Sequence, residues 1–461
     1  MKKLIAFLTL ILLVAYPVLA QVKNEGIPYI RNYTQKDYKA SPQNWAIVQD
    51  HRGVMYFGNN SGVLEFDGSH WRLVTLSNRT IARSLAVDKT GRIYVGGQND
   101  FGYLQPDDQG LMAYVSLKHK IEKKYQDFDD VWKIYTSDEG VFYCTVSAVY
   151  HLQHDEIKVY EAPVAPTVFP FLVQNKLLAP VSKRGIYELK HEKFVLIPGS
   201  EKMADYVIVA ILPYTDGKSL IVTEENGVFE YNGYSDFKPL DWQVNDFLIK
   251  SKVYSAICLS EEYAIGTAHN GLLIVDKNGT PRQHLNREKG LQNSNVRSIY
   301  QDQAGNLWLG LNNGIDYVET NSAFTLFNAK NGLPGTGYTS MLDGDILYLG
   351  TNDGLFFKTW SNTENPLQPS AFRQVGNSQG QVYNLQKING KLLMSHHNGP
   401  YEIINNTARR ISDHRGAWIF VPLASSPGYV ICGTYTGLLL YRFVDGRLEF
   451  QQKISGFDES S

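Results

Sequence analysis

The sequence predicts an all-β fold: a β-propeller in which one seven-bladed ring is followed by about three blades of a second, incomplete ring. Three observations predict it. A strand–turn–strand–turn–strand unit recurs ten times along the 461 residues. The glycines at the second turn of these units lie about 42 residues apart, the spacing of propeller blades. No window shows a long amphipathic stretch with a helical period. Abundant Tyr (29), Phe (21) and Gly (39) agree, since they favour strands and tight turns.

In chain order, the N-terminus reads as a secretory signal over residues 1–20. Lys2 and Lys3 form its charged start, Leu4 to Ala15 its apolar stretch and Val18-Leu19-Ala20 a small-residue cleavage site, leaving Gln21 first. The apolar run is shorter than the ~20 residues that span a bilayer. The segment Ile27 to Thr34 (IPYIRNYT) precedes the first full unit and is expected to supply the outer strand that closes a ring.

The unit is clearest at Ser298 to Glu319, SIYQDQAGNLWLGLNNGIDYVE, with a first turn at Asp302-Gln-Ala-Gly305 and a second at Asn312-Asn-Gly314. Ala46 to Gly68, AIVQDHRGVMYFGNNSGVLEFDG, matches it element by element: Asp50 for Asp302, Gly53 for Gly305, Tyr56 for Trp308, Gly58 for Gly310, Gly62 for Gly314. The other second-turn positions are Gly102, Ala148, Gly185, Gly227, Gly271, Gly354, Gly399 and Gly437. Glycine supplies the positive φ of a tight hairpin, so Ala148 predicts a distorted turn in the third unit. One unit has two apolar faces and hides neither alone; set radially, it buries both against its neighbours. Trp308 and its counterparts Tyr56, Tyr94, Tyr143 and Tyr348 are therefore assigned to packing between blades.

Propellers commonly close with ~4–8 blades, so blade count divides the chain into a seven-bladed propeller over residues 21–328 and a partial one over 329–461. The Gly/Pro-bearing loop Asn328 to Gly337 lies at the join, although Asn286 to Asn295 resembles it inside the first ring. The second part is expected to expose blade faces and to be the less stable half.

Composition excludes several functions. The formal charge is −2, and more negative once Lys2 and Lys3 are removed, which gives no basic surface for nucleic acid. Cys144, Cys258 and Cys432 sit far apart in strand-like runs and read as buried small hydrophobes rather than disulfides or zinc ligands. No zinc-protease, nucleophile-elbow or phosphate-loop motif occurs. His396 and His397 are adjacent in a strand and face opposite ways, so a shared metal is not expected. Asp50, Asp88 and Asp302 fall in turns and are read as caps for backbone N–H groups rather than as a catalytic pair. No cofactor is expected.

The units carrying "D..G..W.G...G" after "V.SI", with the loops Gly290-Leu291 and Gly332-Leu333, resemble two-component-regulator propeller repeats. In that family, paired periplasmic propellers precede an immunoglobulin-like triple-tyrosine domain, one membrane helix and a cytoplasmic kinase or DNA-binding output. The resemblance implies a periplasmic ligand-sensing module of a transmembrane signalling or transcriptional regulator, non-catalytic over these residues, with the membrane reached only through a downstream segment. Its expected partner is an extracellular small molecule or oligosaccharide, and a homodimer is compatible with it. The alternatives are a secreted propeller enzyme acting on carbohydrate, a glycosidase or lyase, and a protein-interaction scaffold.

Aligning the blades on their first strand brings Trp45, Arg83, Trp132, Phe169, Val209, Tyr254 and Arg297 to one position. Inner strands line a propeller's channel, so these side chains are expected to form a ring near one mouth. Trp45, Arg83, Trp132, Phe169, Tyr254 and Arg297 are the candidate ligand-binding residues: aromatic faces for sugars or apolar groups, Arg forks for carboxylate or sulfate. The competing reading is that they plug the channel.

Overall fold

The computed structural model describes residues 25–162, 169–360, 365–369 and 371–460. The expected signal sequence lies outside them. Among the described residues there are ten four-stranded antiparallel sheets, nine of them meanders of consecutive strands and one completed by a strand from the N-terminal segment. The chain divides by its internal contacts into one unit of Pro28–Thr325 and another running from Leu326 onward that includes Glu25 to Ile27.

In the first unit, first strands of neighbouring sheets lie side by side, Asn44–Gln49 with Ala82–Val87 and Val253–Cys258 with Val296–Gln301. The first sheet also contacts the seventh, so the succession returns to its start. Ile30–Tyr33 completes the seventh sheet from the N-terminal side, pairing Ile30 with Val318 and Tyr33 with Ile315. That is the closing strand expected from IPYIRNYT. Asn44 Nδ2 donates to Gly314 O at 3.1 Å and Gly314 N to Pro42 O at 3.0 Å, which fastens the first sheet to the seventh.

Both turns of the repeat have a side-chain mechanism. At the first, Asp302 Oδ1 accepts from the backbone N–H groups of Ala304 (3.0 Å) and Asn306 (2.9 Å), while Oδ2 accepts from Trp308 Nε1 (3.0 Å). Asp88 repeats this with Thr90, Arg92 and the Tyr94 hydroxyl, and Asp50 with Arg52, Val54 and Tyr56. One carboxylate thus caps a turn and holds the aromatic of the next strand. The tyrosines are neutral there, Tyr94 being pushed up to about 12, first by burial and then by Asp88.

Trp308 and its counterparts Tyr56, Tyr94, Tyr143 and Tyr348 are all buried. Trp308 stacks on Tyr33 of the closing strand (5.8 Å between centroids) and meets Phe57 (5.6 Å) and Phe66 (6.0 Å) of the first sheet. It therefore joins three parts of the seam at once.

At the second turn, Gly62 has φ 130° and Gly185 118°, but Gly102 is not left-handed; a Cβ there would sit 1.9 Å from Val115 O of the next strand. Glycine is needed for close approach as much as for φ. Ala148 also does without positive φ, and its turn is closed by Thr145, whose hydroxyl accepts from Ala148 N (3.0 Å) and donates to Ala148 O (2.9 Å). Thr223, Thr267, Thr351 and Thr434 latch their turns in the same way. In the ninth sheet His396 occupies that position, and its Nδ1 accepts from Asn398 N at 3.0 Å.

The second unit holds three sheets, and Glu25 of the N-terminal segment is tied to Lys358 there by a buried 3.0 Å ion pair. The last sheet leaves Ile419 42% and Val421 47% exposed, at positions matching Ser298 and Tyr300 of the first unit, which are covered or half-covered.

Two expectations follow. Trp308→Ala should cost about 3–5 kcal/mol in denaturant unfolding, and a loss below about 1 kcal/mol would show that the seam does not depend on it. His396 is held down at about 4 by burial and then by His397, below the ~6.5 of a free imidazole. Its folded-state pKa is depressed, so protonation favours unfolding: the stability is complete above pH ~6.5 and is lost as pH falls toward 4, on the order of 2–3 kcal/mol. His396→Thr, which keeps the latch, should flatten the stability–pH curve over that window; an unchanged slope would contradict the assignment.

Candidate functional site

In five of the seven sheets of the first unit the aligned position is a β-bulge, while in the fourth Phe169 lies two residues before its strand, Phe171–Val173. The register of the first strand against the second shifts between Asn44 and Ala46, Ala82 and Ser84, Ile208 and Ala210, Val253 and Ser255, and Val296 and Ser298. Trp45, Arg83, Val209, Tyr254 and Arg297 are the residues left over. In the third sheet, Trp132 N bonds Cys144 O while Lys133 also pairs with Cys144, which has the same effect. A bulge re-aims one side chain out of the strand's alternation, and here it does so in sheet after sheet.

Six of the seven side chains form one continuous stack. The Arg297 guanidinium carbon lies 4.9 Å from the Tyr254 ring centroid and 4.5 Å from Trp45. Arg83 lies 4.0 Å from the other neighbour of the series, Trp45, and 4.5 Å from Trp132. Trp132 and Phe169 rings are 4.9 Å apart. The order is Tyr254, Arg297, Trp45, Arg83, Trp132, Phe169, with cations alternating between aromatic faces. Val209, half-buried, brings no ring to it.

Second-turn side chains fix the stack from outside. Trp45 Nε1 donates to Asn60 Oδ1 (2.6 Å), Asn60 Nδ2 to Gln43 Oε1 (2.9 Å), and Gln43 Nε2 to Asn312 Oδ1 (2.6 Å). Asn312 Oδ1 also accepts from Arg297 Nε (3.0 Å), whose Nη1 donates to the Tyr254 hydroxyl (2.7 Å). The stack therefore belongs to the end of the unit that carries the second turns.

The two arginines differ. Arg83 gives Nε (3.0 Å) and Nη2 (2.7 Å) to Asp130 Oδ2, with side chains only 13% and 10% exposed. Its charge is compensated. Arg297 has no carboxylate partner among the described residues. The stack has one uncompensated cation, at Arg297, between Trp45 and an exposed Tyr254.

Other chemistry is thin. Among the described residues no group of His, Cys, Asp and Glu could hold a metal ion. Cys144 and Cys432 are buried, Cys258 is half-buried, and all three are free. Burial pushes Glu262 up to about 7, but Asp276, across from it, spends its oxygens on the turn N–H groups of Asn278 and Thr280 and on Arg282. A groove of about 630 Å³ runs between the first two sheets at the first-turn end, where Asp50 is likewise committed to its cap.

The same bulge recurs in the second unit, at Tyr338, Tyr383 and Trp418. Sequence alignment reached only the first seven positions; extending it to the last three sheets would have found these aromatics.

No curated protein matches the sequence. Among solved structures, the extracellular domain of BT3049 of B. thetaiotaomicron, assigned to a hybrid two component system, superposes with a TM-score of 0.63 at 17% identity, over 94% of this chain and 61% of that one. The extracellular domain of BT4673 of the same organism, assigned to a one component system, gives 0.50 at 17%, over 93% and 62%. Virginiamycin B lyase of Staphylococcus aureus gives 0.46 at 12%, over 66% and 100%, a score too low to bear on this chain. At these identities the likeness establishes the propeller fold, and this chain spans less than two thirds of the two extracellular domains. Among the described residues no helix is long and apolar enough to cross a membrane. The two component regulator propeller repeat is matched at residues 290–313, the stretch that contains Arg297 and its bulge. The matched unit is one of the ten four-stranded sheets that recur among the described residues.

Proposed function

We propose that this chain is the exported, ligand-sensing part of a membrane-anchored signalling regulator, with Pro28–Thr325 acting as a closed seven-bladed ring. The module is non-catalytic and recognises an acidic saccharide at the second-turn end of that ring. The observation that carries this reading is the uncompensated Arg297, held at 4.5 Å and 4.9 Å over two aromatic rings and fixed through Nε by Asn312. A uronate or sulfate group would take the free side of the guanidinium, and a sugar face would lie on Tyr254 or Trp45. Arg83 has a different role. Its fork is used by Asp130, so it spaces Trp45 from Trp132 and holds the stack in line.

The test is calorimetric titration of uronate-bearing, sulfated and neutral oligosaccharides against wild type and Arg297→Ala. An acidic member should bind, and Arg297→Ala should weaken it at least tenfold without changing the melting temperature. Arg83→Ala, by contrast, should lose about 3–5 kcal/mol of stability because a buried Asp130 loses its partner. Binding of neutral and acidic members alike, or undiminished affinity in Arg297→Ala, would overturn the assignment.

A further inference from the structure

The two units use the bulge position differently. In the first, arginines of the chain itself lie over the aromatic faces, 4.0–4.9 Å from the ring centroids of Trp45, Trp132 and Tyr254. In the second, the position supplies Tyr338, Tyr383 and Trp418, and Tyr435 from the last second turn joins them. Tyr383 and Trp418 are 4.5 Å apart, Trp418 and Tyr435 5.1 Å, and Tyr338 stands at 88° to Tyr383 at 6.3 Å. Among the described residues no Lys or Arg lies over any of these four rings. Arg415, in the loop before the last sheet, is exposed and stacks on none of them.

The cluster is built and open. The Tyr383 and Tyr435 hydroxyls are 2.5 Å apart and Tyr383 also donates to Gln381 Oε1 (3.3 Å), which fixes the inner rings. Burial and the Tyr435 bond push Tyr383 up to about 12, so its hydroxyl stays protonated. Trp418 Nε1 donates to Ser460 Oγ (3.1 Å). Tyr338 is 51% and Trp418 36% exposed, and the corner between perpendicular rings offers two π faces to one group.

We infer that the aromatic cluster of the second unit is a binding site for an organic cation, a methylated or alkyl ammonium group, which takes the place that Arg83 and Arg297 fill in the first unit. Ring faces carry negative potential, and uncovered aromatic clusters recognise quaternary ammonium groups through it. An all-aromatic version of a position that elsewhere holds its own guanidinium lacks only the cation. The site is separate from the proposed saccharide site, and neither depends on the other.

The probe pair is choline chloride and its neutral isostere 3,3-dimethylbutan-1-ol, titrated against the folded chain at constant ionic strength and followed by NMR. Choline should bind at least tenfold more tightly than the alcohol. Trp418→Leu and Tyr338→Leu, both at exposed positions, should each weaken choline at least tenfold while keeping the wild-type melting temperature, and Arg297→Ala should bind it as wild type does. Equal binding of choline and the alcohol would mean an apolar patch. No binding of choline, preference for a neutral methyl glycoside, or full affinity in both leucine variants would each overturn the inference.

Discussion

Four sheets of the first unit meet the next through a glycine: Gly58, Gly96, Gly266 and Gly310. A Cβ on Gly310 would lie 2.9 Å from Asn44 O of the adjoining sheet, and one on Gly58 2.8 Å from Ala82 O. Gly96 and Gly266 would strike Val131 and Val296 in the same way. At these four junctions a side chain would hold neighbouring inner strands apart, so close backbone approach is the constraint on which the packing of these sheets depends. Serine hydroxyls then bridge the seam, Ser84 to Val131 O at 2.6 Å and Ser255 to Val296 O at 3.2 Å. The same glycines sit opposite Ala46, Ser84, Ser255 and Ser298, the residues immediately after each bulge. Packing the blades and turning one side chain per blade out of the strand are thus parts of a single arrangement.

That coupling explains why the site is a stack. Side chains projected from adjacent bulges are brought together by the closeness of the strands that carry them, and alternating Arg with Trp or Tyr lets charge and π faces fill the space. Compensation by Asp130 makes one arginine a spacer, while Asn312 orients the other and leaves its charge uncompensated. In the second unit the same backbone device carries aromatics alone, and the last sheet offers Ile419 and Val421 to solvent where the first unit has neighbours.

Much of this was legible from the residues because a repeat averages out local ambiguity. The D-x-x-G turn, the aromatic held by its aspartate and the second-turn glycine each recur, and IPYIRNYT had an outer-strand place to fill. The aligned position was also legible, except that at Val209 and Tyr254 sequence left the register open by one residue and the bulge fixes it. What sequence could not express was partnership. Arg83 and Arg297 look equivalent until Asp130, a loop residue before the third sheet, is seen to neutralise one of them. The threonine latch was overlooked because glycine drew attention to the other end of the same turn, although "GT" recurs at Thr267, Thr351 and Thr434.

The central claim is that two arginines of one stack have different jobs. Side-chain Nε–Hε NMR of the folded chain, recorded while glucuronate is added, tests it directly. The account predicts that the Arg297 Nε–Hε signal shifts with added anion while that of Arg83, locked to Asp130, stays where it was and exchanges slowly with solvent. Equal shifts of both signals, or movement of Arg83 alone, would contradict it.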